Sequence, residues 1–502
     1  MLDAAEVDAA LALEERWGGA VREHWTRLVA PAVFGDLRWR RHSDRARTPG
    51  PRCLPVRRLA TTMGDMIDIA PFRARRERLL AAMGDGIAII PTAPERLRSR
   101  DSDYPYRYDS YFYYLAGFPE PEAVVVLIAG AEPKSLLFCR EKHPERELWD
   151  GFRHGPEAAR ETFGFDEARA IATLDEALPQ LLANRAVLHY APGMDAGWDA
   201  RIMGWLNRVR AMVRTGVTAP AEIRDLRVPL DEMRLVKDAH EIALMRRASV
   251  ISAGAHARAM RATHPGRMEY EIEAELLHEF RRHGSQFPAY WPIVASGPNA
   301  CVLHYRENDR RMENGDLLLI DAGCELDGYA SDITRTFPVN GRFSGPQRDV
   351  YALVLAAQAA AIAEVKPGGR WAAPHDAAVK TLARGFVDLG LCAGPVERVL
   401  ETEDYKRFYM HRTGHWLGLD VHDAGEYKER GEWKTLAPGM TLTVEPGCYI
   451  RPAEGVPQAF WNIGVRIEDD ALVTPDGCEI ITAAAPKTIA AIEALMGDNG
   501  GE

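Results

Sequence analysis

From about residue 72 to 215 the chain alternates two hydrophobic rhythms. The short apolar runs DGIAIIPTA, EAVVVLIAG, KSLLFCR and AVLHYAPG are bounded by turn residues and have strand length and composition. FRARRERLLAAM and DEARAIATLDEALPQLLANR instead have helical composition and spacing. The alternation predicts an α/β domain over 66–215, followed by a linker over 216–235. Asp238-Ala-His-Glu241 then reads as a capping box that opens a long helix. The next helix carries Ile272, Leu276, Leu277 and Phe280 on one stripe and stops at Gly284. Strands follow around 317–341, helices over 346–365 and 374–389, and strands again from Met440. The order helices, strands, helices, strands predicts an α+β domain of two similar halves over 236–490, with a C-terminal tail over 491–502.

Ahead of residue 66 the pattern breaks. Residues 36–59, DLRWRRHSDRARTPGPRCLPVRRL, are rich in Arg and Pro and show neither period, so 1–65 is expected to be a poorly ordered extension. Met63 or Met66 would be a natural start, because Met66-Ile67-Asp68-Ile69 leads straight into a helix-like run. A basic targeting arm fits less well, since residues 3–16 are acidic and helix-like.

Composition narrows the class. With 502 residues, 46% of them hydrophobic and 27% charged, the chain has material for several packed cores. A formal charge of -11 argues against a nucleic-acid partner, whose electrostatic footprint is basic. There is no apolar stretch of about 18 residues and no signal-peptide pattern, so the expectation is a soluble, cytoplasmic protein without a membrane partner. The seven scattered cysteines, without a CxxC, read as reduced thiols; Cys324 and Cys448 read as small buried hydrophobes.

Four segments carry candidate chemistry. In LLLIDAGCELDGYASDITRTFPVNG, residues 317–341, Asp321 and Asp332 flank Gly323, Asp327 and Gly328, so an antiparallel hairpin can bring the two carboxylates together. Two such anions share a proton or hold cations between them. HRTGHWLGLDVHD, residues 411–423, holds His411, His415 and His422; the spacing of the first two matches a zinc-protease helix, but no Glu follows His411 and Gly414 and Gly418 oppose a helix. The glycines would let backbone pass close to a ligand. Glu445 ends the β-like run of TLTVEPGCYI ahead of a Pro-Gly turn, and in NIGVRIEDD Arg466 and Glu468 alternate with apolar neighbours on one strand face. Four carboxylates and one or more imidazoles at strand ends suit two divalent metals, and the oxygen-rich set favours Mn²⁺. Such a pair lowers the pKa of a shared water and polarises a carbonyl, so hydrolysis is the expected reaction.

These four motifs, in this order and spacing, resemble the catalytic domain of the Xaa-Pro aminopeptidases (aminopeptidase P), members of the pita-bread metallopeptidases of family M24 together with prolidase, methionine aminopeptidase and the metal-free creatinase. The resemblance covers about residues 66–490, and YPYRYDSYFYYLAGFPEPEAVVVL, residues 104–127, resembles the N-terminal domain of the Xaa-Pro branch. It implies that Asp321 binds one metal, Asp332 and Glu468 bridge both, and His415 and Glu445 complete the second sphere. It also implies that Glu445 is the general base and acid for a metal-bridging hydroxide and the leaving nitrogen. His422 and His304 would hold the substrate carbonyl and the tetrahedral intermediate, His411 would be a further active-site histidine, and Arg466 would fix the bridging carboxylates. The implied substrates are peptides with proline in the second position, and the implied assembly is a homo-oligomer, dimer or tetramer. Proline makes the scissile linkage a tertiary amide without N–H, which peptidases that grip an extended, hydrogen-bonded chain handle poorly. Tyr113 stands where similar chains often have Trp, in a region that can reach a neighbouring subunit's site in the family. The alternatives are a prolidase limited to Xaa-Pro dipeptides, a pita-bread binding protein without catalysis, and a lone-zinc peptidase built on His411 and His415.

Overall fold

The computed structural model describes residues 68–497, all within one compact unit spanning Met66–Glu502. The extension expected over 1–65 and residues 498–502 lie outside the described residues.

The N-terminal lobe is built on one mixed sheet of β1 (Gly86–Pro91), β2 (Val124–Ala129), β3 (Lys134–Cys139), β4 (Glu167–Ala170), β5 (Val187–Tyr190) and β6 (Glu222–Asp225). The spatial order is β4-β3-β2-β1-β5-β6. β1, β2 and β3 pair antiparallel, whereas β4, β5 and β6 each join a neighbour in parallel. The continuous apolar run of β2 is buried along its whole length, as a strand covered on both faces requires.

Two segments of this lobe depart from the sequence pattern. Residues 167–170 have helical composition but pair with β3, Glu167 opposite Leu136, and the α-helix begins only at Leu174. An available sheet edge outweighs a weak local propensity. Residues 216–235, expected as a linker, supply β6 on the other edge and the helix Arg227–Leu235. The free edge of β5 that recruits them comes from a non-local fold and is invisible in the linker's own sequence.

The C-terminal lobe repeats one plan. Helices Ala239–Ala262 and Glu269–Arg282 precede the strands Ile293–Ser296, Leu317–Asp321 and Thr334–Pro338; helices Gly345–Ile362 and Ala373–Asp388 precede the strands between Thr441 and Ile480. The expected capping box closes at Asp238 and Glu241, and a second forms between Ser344 and Gln347. Ile272, Leu276 and Phe280 are buried on the predicted stripe. One core joins both halves, with Leu318, Ile320 and Phe337 packed among Val350, Phe386 and Val465, and it encloses Cys324 and Cys448. Residues 491–497, expected as part of a tail, belong to the helix Ile489–Gly497, which buries Ile492 and Met496 in this core. Among the described residues no helix is long and apolar enough to cross a membrane.

Candidate active site

Asp321 ends its strand opposite Thr334. Between them the chain makes an excursion, Cys324–Leu326 against Tyr329–Ala330, turned through Asp327 and Gly328 at φ of 50° and 86°. Asp332 therefore sits on the return of this side hairpin and is not the cross-strand partner of Asp321. The excursion needs a glycine at its neck, since a Cβ on Gly323 would lie 1.7 Å from the Ser331 carbonyl oxygen. Tyr290 draws the two carboxylates together: its hydroxyl lies 2.6 Å from Asp321 Oδ1 and also bonds Asp332 Oδ1.

Glu445 and Glu468 come from a break in a two-stranded ribbon. Thr441–Val444 pairs with the start of Asp469–Thr474, and Gly447–Ile450 with Ile463–Arg466, leaving Glu445-Pro446 opposite Ile467-Glu468 at the interruption. Pro446 has no N–H for the ladder. The amides of the break turn elsewhere, Glu445 N–H to the Thr413 carbonyl at 2.8 Å and Glu468 N–H to the Thr334 carbonyl at 3.1 Å. The ribbon is thereby tied to the histidine segment on one side and the aspartate hairpin on the other. Arg466 and Glu468 do not alternate along one regular strand, because the strand ends at Arg466.

Residues 411–423 form no helix, which removes the helical zinc motif. The segment runs beside Thr441–Glu445 like an extra strand: Thr443 N–H donates to the His415 carbonyl at 3.0 Å and Leu417 N–H to the Thr441 carbonyl at 3.1 Å. Gly414 is required by this approach, not by a ligand, since a Cβ there would lie 2.1 Å from the Thr443 oxygen. His415 Nδ1–H donates to the Trp416 carbonyl at 2.9 Å, which leaves Nε2 as the ligating nitrogen. That Nε2 lies 3.4 Å from Asp332 Oδ2 and 3.9 Å from Glu445 Oε1. One ligand atom from each of Asp332, His415 and Glu468 falls within 4.8 Å of the other two. His422 stands edge-to-face against His415, ring centroids 4.4 Å apart. His411 Nδ1–H donates to the Arg412 carbonyl at 2.7 Å, so Nε2 accepts from the Tyr449 hydroxyl at 2.9 Å. His304, just beyond the 3₁₀ turn Gly297–Cys301, is exposed, and its charge bears on both His411 and His422.

Arg466 organises the floor. Its Nη2 donates to Asp321 Oδ2 at 2.6 Å, Nη1 to the Tyr449 oxygen at 3.0 Å and Nε to Thr334 Oγ1 at 3.1 Å, while the Thr334 hydroxyl donates to Glu468 Oε2 at 2.6 Å. Tyr290 lies outside the four motifs, and Thr334 and Tyr449 lie inside two of them without a candidate role; sequence reasoning missed all three. Asp470 was also missed; its carboxylate accepts the Asp332 N–H at 3.0 Å.

The N-terminal lobe clamps the same elements. Arg107 Nε donates to Glu325 Oε2 at 3.0 Å and Nη2 to the Leu419 carbonyl at 2.6 Å. Buried Arg234 and Lys237 converge on Asp423 at 2.5 and 2.8 Å, just past His422. The histidine segment is thus fixed by ion pairs that its own sequence does not reveal.

Burial combined with few cations sets the electrostatics. Asp321 is pushed above the usual carboxylate range by burial, held back by Arg466, and Glu468 is pushed well above it by burial and by Asp332. Glu445 is raised to about 7 by burial, against the pull of His415 and Arg466. Burial disfavours a charged His415, but Asp332 and Glu445 more than offset it and lift the imidazole to about 9. Burial likewise raises Asp332, yet His415 and Tyr290 bring it below the ordinary value. His411, buried and near Arg466, is held down to about 3 and is neutral. Against four converging carboxylates the fold supplies one guanidinium and a proton on His415. The donor set and its unmet demand for positive charge fit divalent metal ions.

The fold and this site define a pita-bread metallopeptidase. Residues 243–475 match the model of metallopeptidase family M24, and 72–189 match the aminopeptidase P N-terminal domain. The chain is 46% identical over 427 residues to the Xaa-Pro aminopeptidase of Haemophilus influenzae, covering 85% of this chain and 96% of that protein. It is 46% identical over 428 residues to that of Escherichia coli, covering 85% and 97%. Pseudomonas aeruginosa aminopeptidase PepP superposes with a TM-score of 0.86 at 51% identity, covering 87% of this chain and 99% of that one. Zinc-substituted E. coli aminopeptidase P in complex with product gives 0.85 at 45% identity, covering 87% and 100%. The chain belongs to the Xaa-Pro aminopeptidase family and is a hydrolase of the metallo-exopeptidase class.

Proposed function

We propose that this chain removes the N-terminal residue from peptides whose second residue is proline, using two divalent metal ions, manganese in the cell. The convergence of Asp321, Asp332, His415, Glu445 and Glu468 on one buried point carries this reading. Asp321, Asp332, Glu445 and Glu468 through their carboxylates and His415 through Nε2 would hold the ions. Bound there, the ions polarise the scissile carbonyl and acidify water. Oxygen donors outnumber the single imidazole, which supports manganese over a thiolate- or histidine-rich zinc site.

Glu445 takes the proton of the attacking water and delivers it to the imide nitrogen of proline as the C–N bond breaks. His422 and His304 orient the substrate carbonyl and donate to the oxygen that becomes negative. His411, neutral and locked in one tautomer by Arg412 and Tyr449, fills the wall beside the reacting bond. Arg466 and Tyr290 keep the Asp321 and Asp332 oxygens aimed inward, so the ligand set is ordered before a metal binds.

A cytoplasmic homo-oligomer, dimer or tetramer, completes the proposal. Leu148, Trp149 and Phe152 leave 82%, 80% and 56% of their surfaces exposed side by side, which supports self-association.

The test is to strip the protein with chelator, restore Mn²⁺, and compare an Xaa-Pro-Xaa tripeptide with an Xaa-Pro dipeptide. Manganese-dependent release of the first residue from the tripeptide is expected; cleavage of the dipeptide alone would make the chain a prolidase, and a protein that binds no metal would remove the proposal.

A further inference from the structure

An open cavity of about 300 Å³ is walled by Leu303, Arg407, Phe408, Met410, Tyr449 and Arg451. Tyr449 belongs both to this cavity and to the active site. Its ring lines the cavity, and its hydroxyl bonds His411 Nε2 at 2.9 Å and Arg466 Nη1 at 3.0 Å on the catalytic side. The cavity therefore continues the active site past His411.

Its polar content is of one sign. Arg451 is held by its own backbone surroundings: Nη2 and Nε donate to the Cys301 carbonyl at 2.6 and 3.2 Å, leaving Nη1 uncommitted. Arg407 lies over the Phe408 ring, 5.3 Å from its centroid. Among the described residues neither guanidinium has a carboxylate partner within ion-pair distance. Two unneutralised guanidiniums around a cavity with apolar walls form an anion site, and the planar fork of Arg suits a carboxylate.

We infer that this cavity binds a carboxylate of the peptide substrate downstream of the proline, making Arg407 and Arg451 specificity-determining residues. The inference rests on the aminopeptidase reading. The residue upstream of the scissile bond carries the cationic α-ammonium group, which two arginines repel, whereas the chain beyond proline brings a carboxylate in every short peptide with a free C-terminus. That anion is either an acidic side chain or the free α-carboxylate of a short peptide, and both make the same charge-assisted hydrogen bonds. Leu303, Met410 and Phe408 accommodate the aliphatic part of the residue that carries it.

The test uses the manganese-loaded protein and three peptides that differ only beyond proline: Xaa-Pro-Ala-amide, Xaa-Pro-Glu-amide and Xaa-Pro-Ala with a free carboxylate. One or both anionic peptides should exceed the neutral amide in kcat/KM by about tenfold, through KM, as expected of one charge-assisted contact. Which of the two gains identifies the source of the carboxylate. The advantage should shrink as salt is raised. In R407Q, R451Q and the double substitution the ratio of anionic to neutral kcat/KM should fall stepwise towards one. Equal kcat/KM for all three peptides in the unsubstituted protein, or an undiminished ratio in the double variant, would overturn the inference while cleavage of the neutral amide leaves the aminopeptidase reading intact. Failure to cleave any of the three would remove both.

Discussion

Two groups of carboxylates in the same lobe behave oppositely. Asp423 is buried between Arg234 and Lys237, and these cations hold it below the ordinary carboxylate range although burial pushes the other way. Asp321, Glu445 and Glu468 are pushed up by their removal from water and then by the carboxylates they face across too few cations. Burial is common to both; the supply of positive charge differs. An ion network that fixes a fold contains its own counter-charges, whereas a cluster whose positive charge must come from elsewhere is suited to holding a metal.

Substituting one carboxylate in each region should break the comparison most sharply. D332N should lower activity by about a thousandfold or more, the several kcal/mol of transition-state stabilisation a metal site provides, and should reduce bound metal measured by elemental analysis. In chelator-treated protein E468Q should melt no lower than the parent, since Glu468 is pushed up by burial and by Asp332 and its removal takes away a repelling anion; a clearly lowered melting temperature would mean that Glu468 serves the fold as Asp423 does. D423A should do the reverse. It leaves Lys237 buried and unpaired and Arg234 with Asp420 alone, and the expected loss is about 3–5 kcal/mol in denaturant titrations, with metal content per folded molecule preserved. A neutral effect would show that water relieves these cations.

Acid should sharpen the contrast further. His256, fully buried with Nε2–H donating to the Ala322 carbonyl at 2.9 Å, is held down to about 4 by burial, against 6.5 for a free imidazole. Between these values the unfolded chain binds a proton that the folded chain does not, so stability is complete above about pH 6.5 and is lost as pH falls towards 4. For this histidine the loss is about 3 kcal/mol, read from melting temperature against pH in chelator-treated protein. Stability independent of pH over that window would show that His256 protonates in place. The smallest effect is expected from Y290F. Losing the hydroxyl that spans Asp321 and Asp332 should weaken metal binding by about tenfold in chelator competition, with little change in melting.

Much of this site was legible in advance because each candidate ligand ends a local element. Asp321 closes an apolar run, Glu445 precedes Pro-Gly, and the three histidines crowd one glycine-containing segment; the structure brings these residues together with Glu468 and Arg466. What was misjudged is equally particular. Asp321 and Asp332 were expected across one hairpin, but an inserted turn separates them and Tyr290 joins them. The glycine at 414 was expected to face a ligand and instead passes the Thr443 backbone.

The sequence alone determined the long helices of the C-terminal lobe, the main strands, the two-half plan and the identity of the chemistry-bearing side chains, because periodicity, caps and turn residues act over a few neighbours. The tertiary structure decided which sheet edges captured residues 167–170 and 222–225, how the ribbon broke at Glu445 and Glu468, and which cations reached which carboxylates. Those outcomes depend on groups as distant in sequence as Arg234 and Asp423 or Asp321 and Arg466, and electrostatics and edge pairing respond to proximity in space.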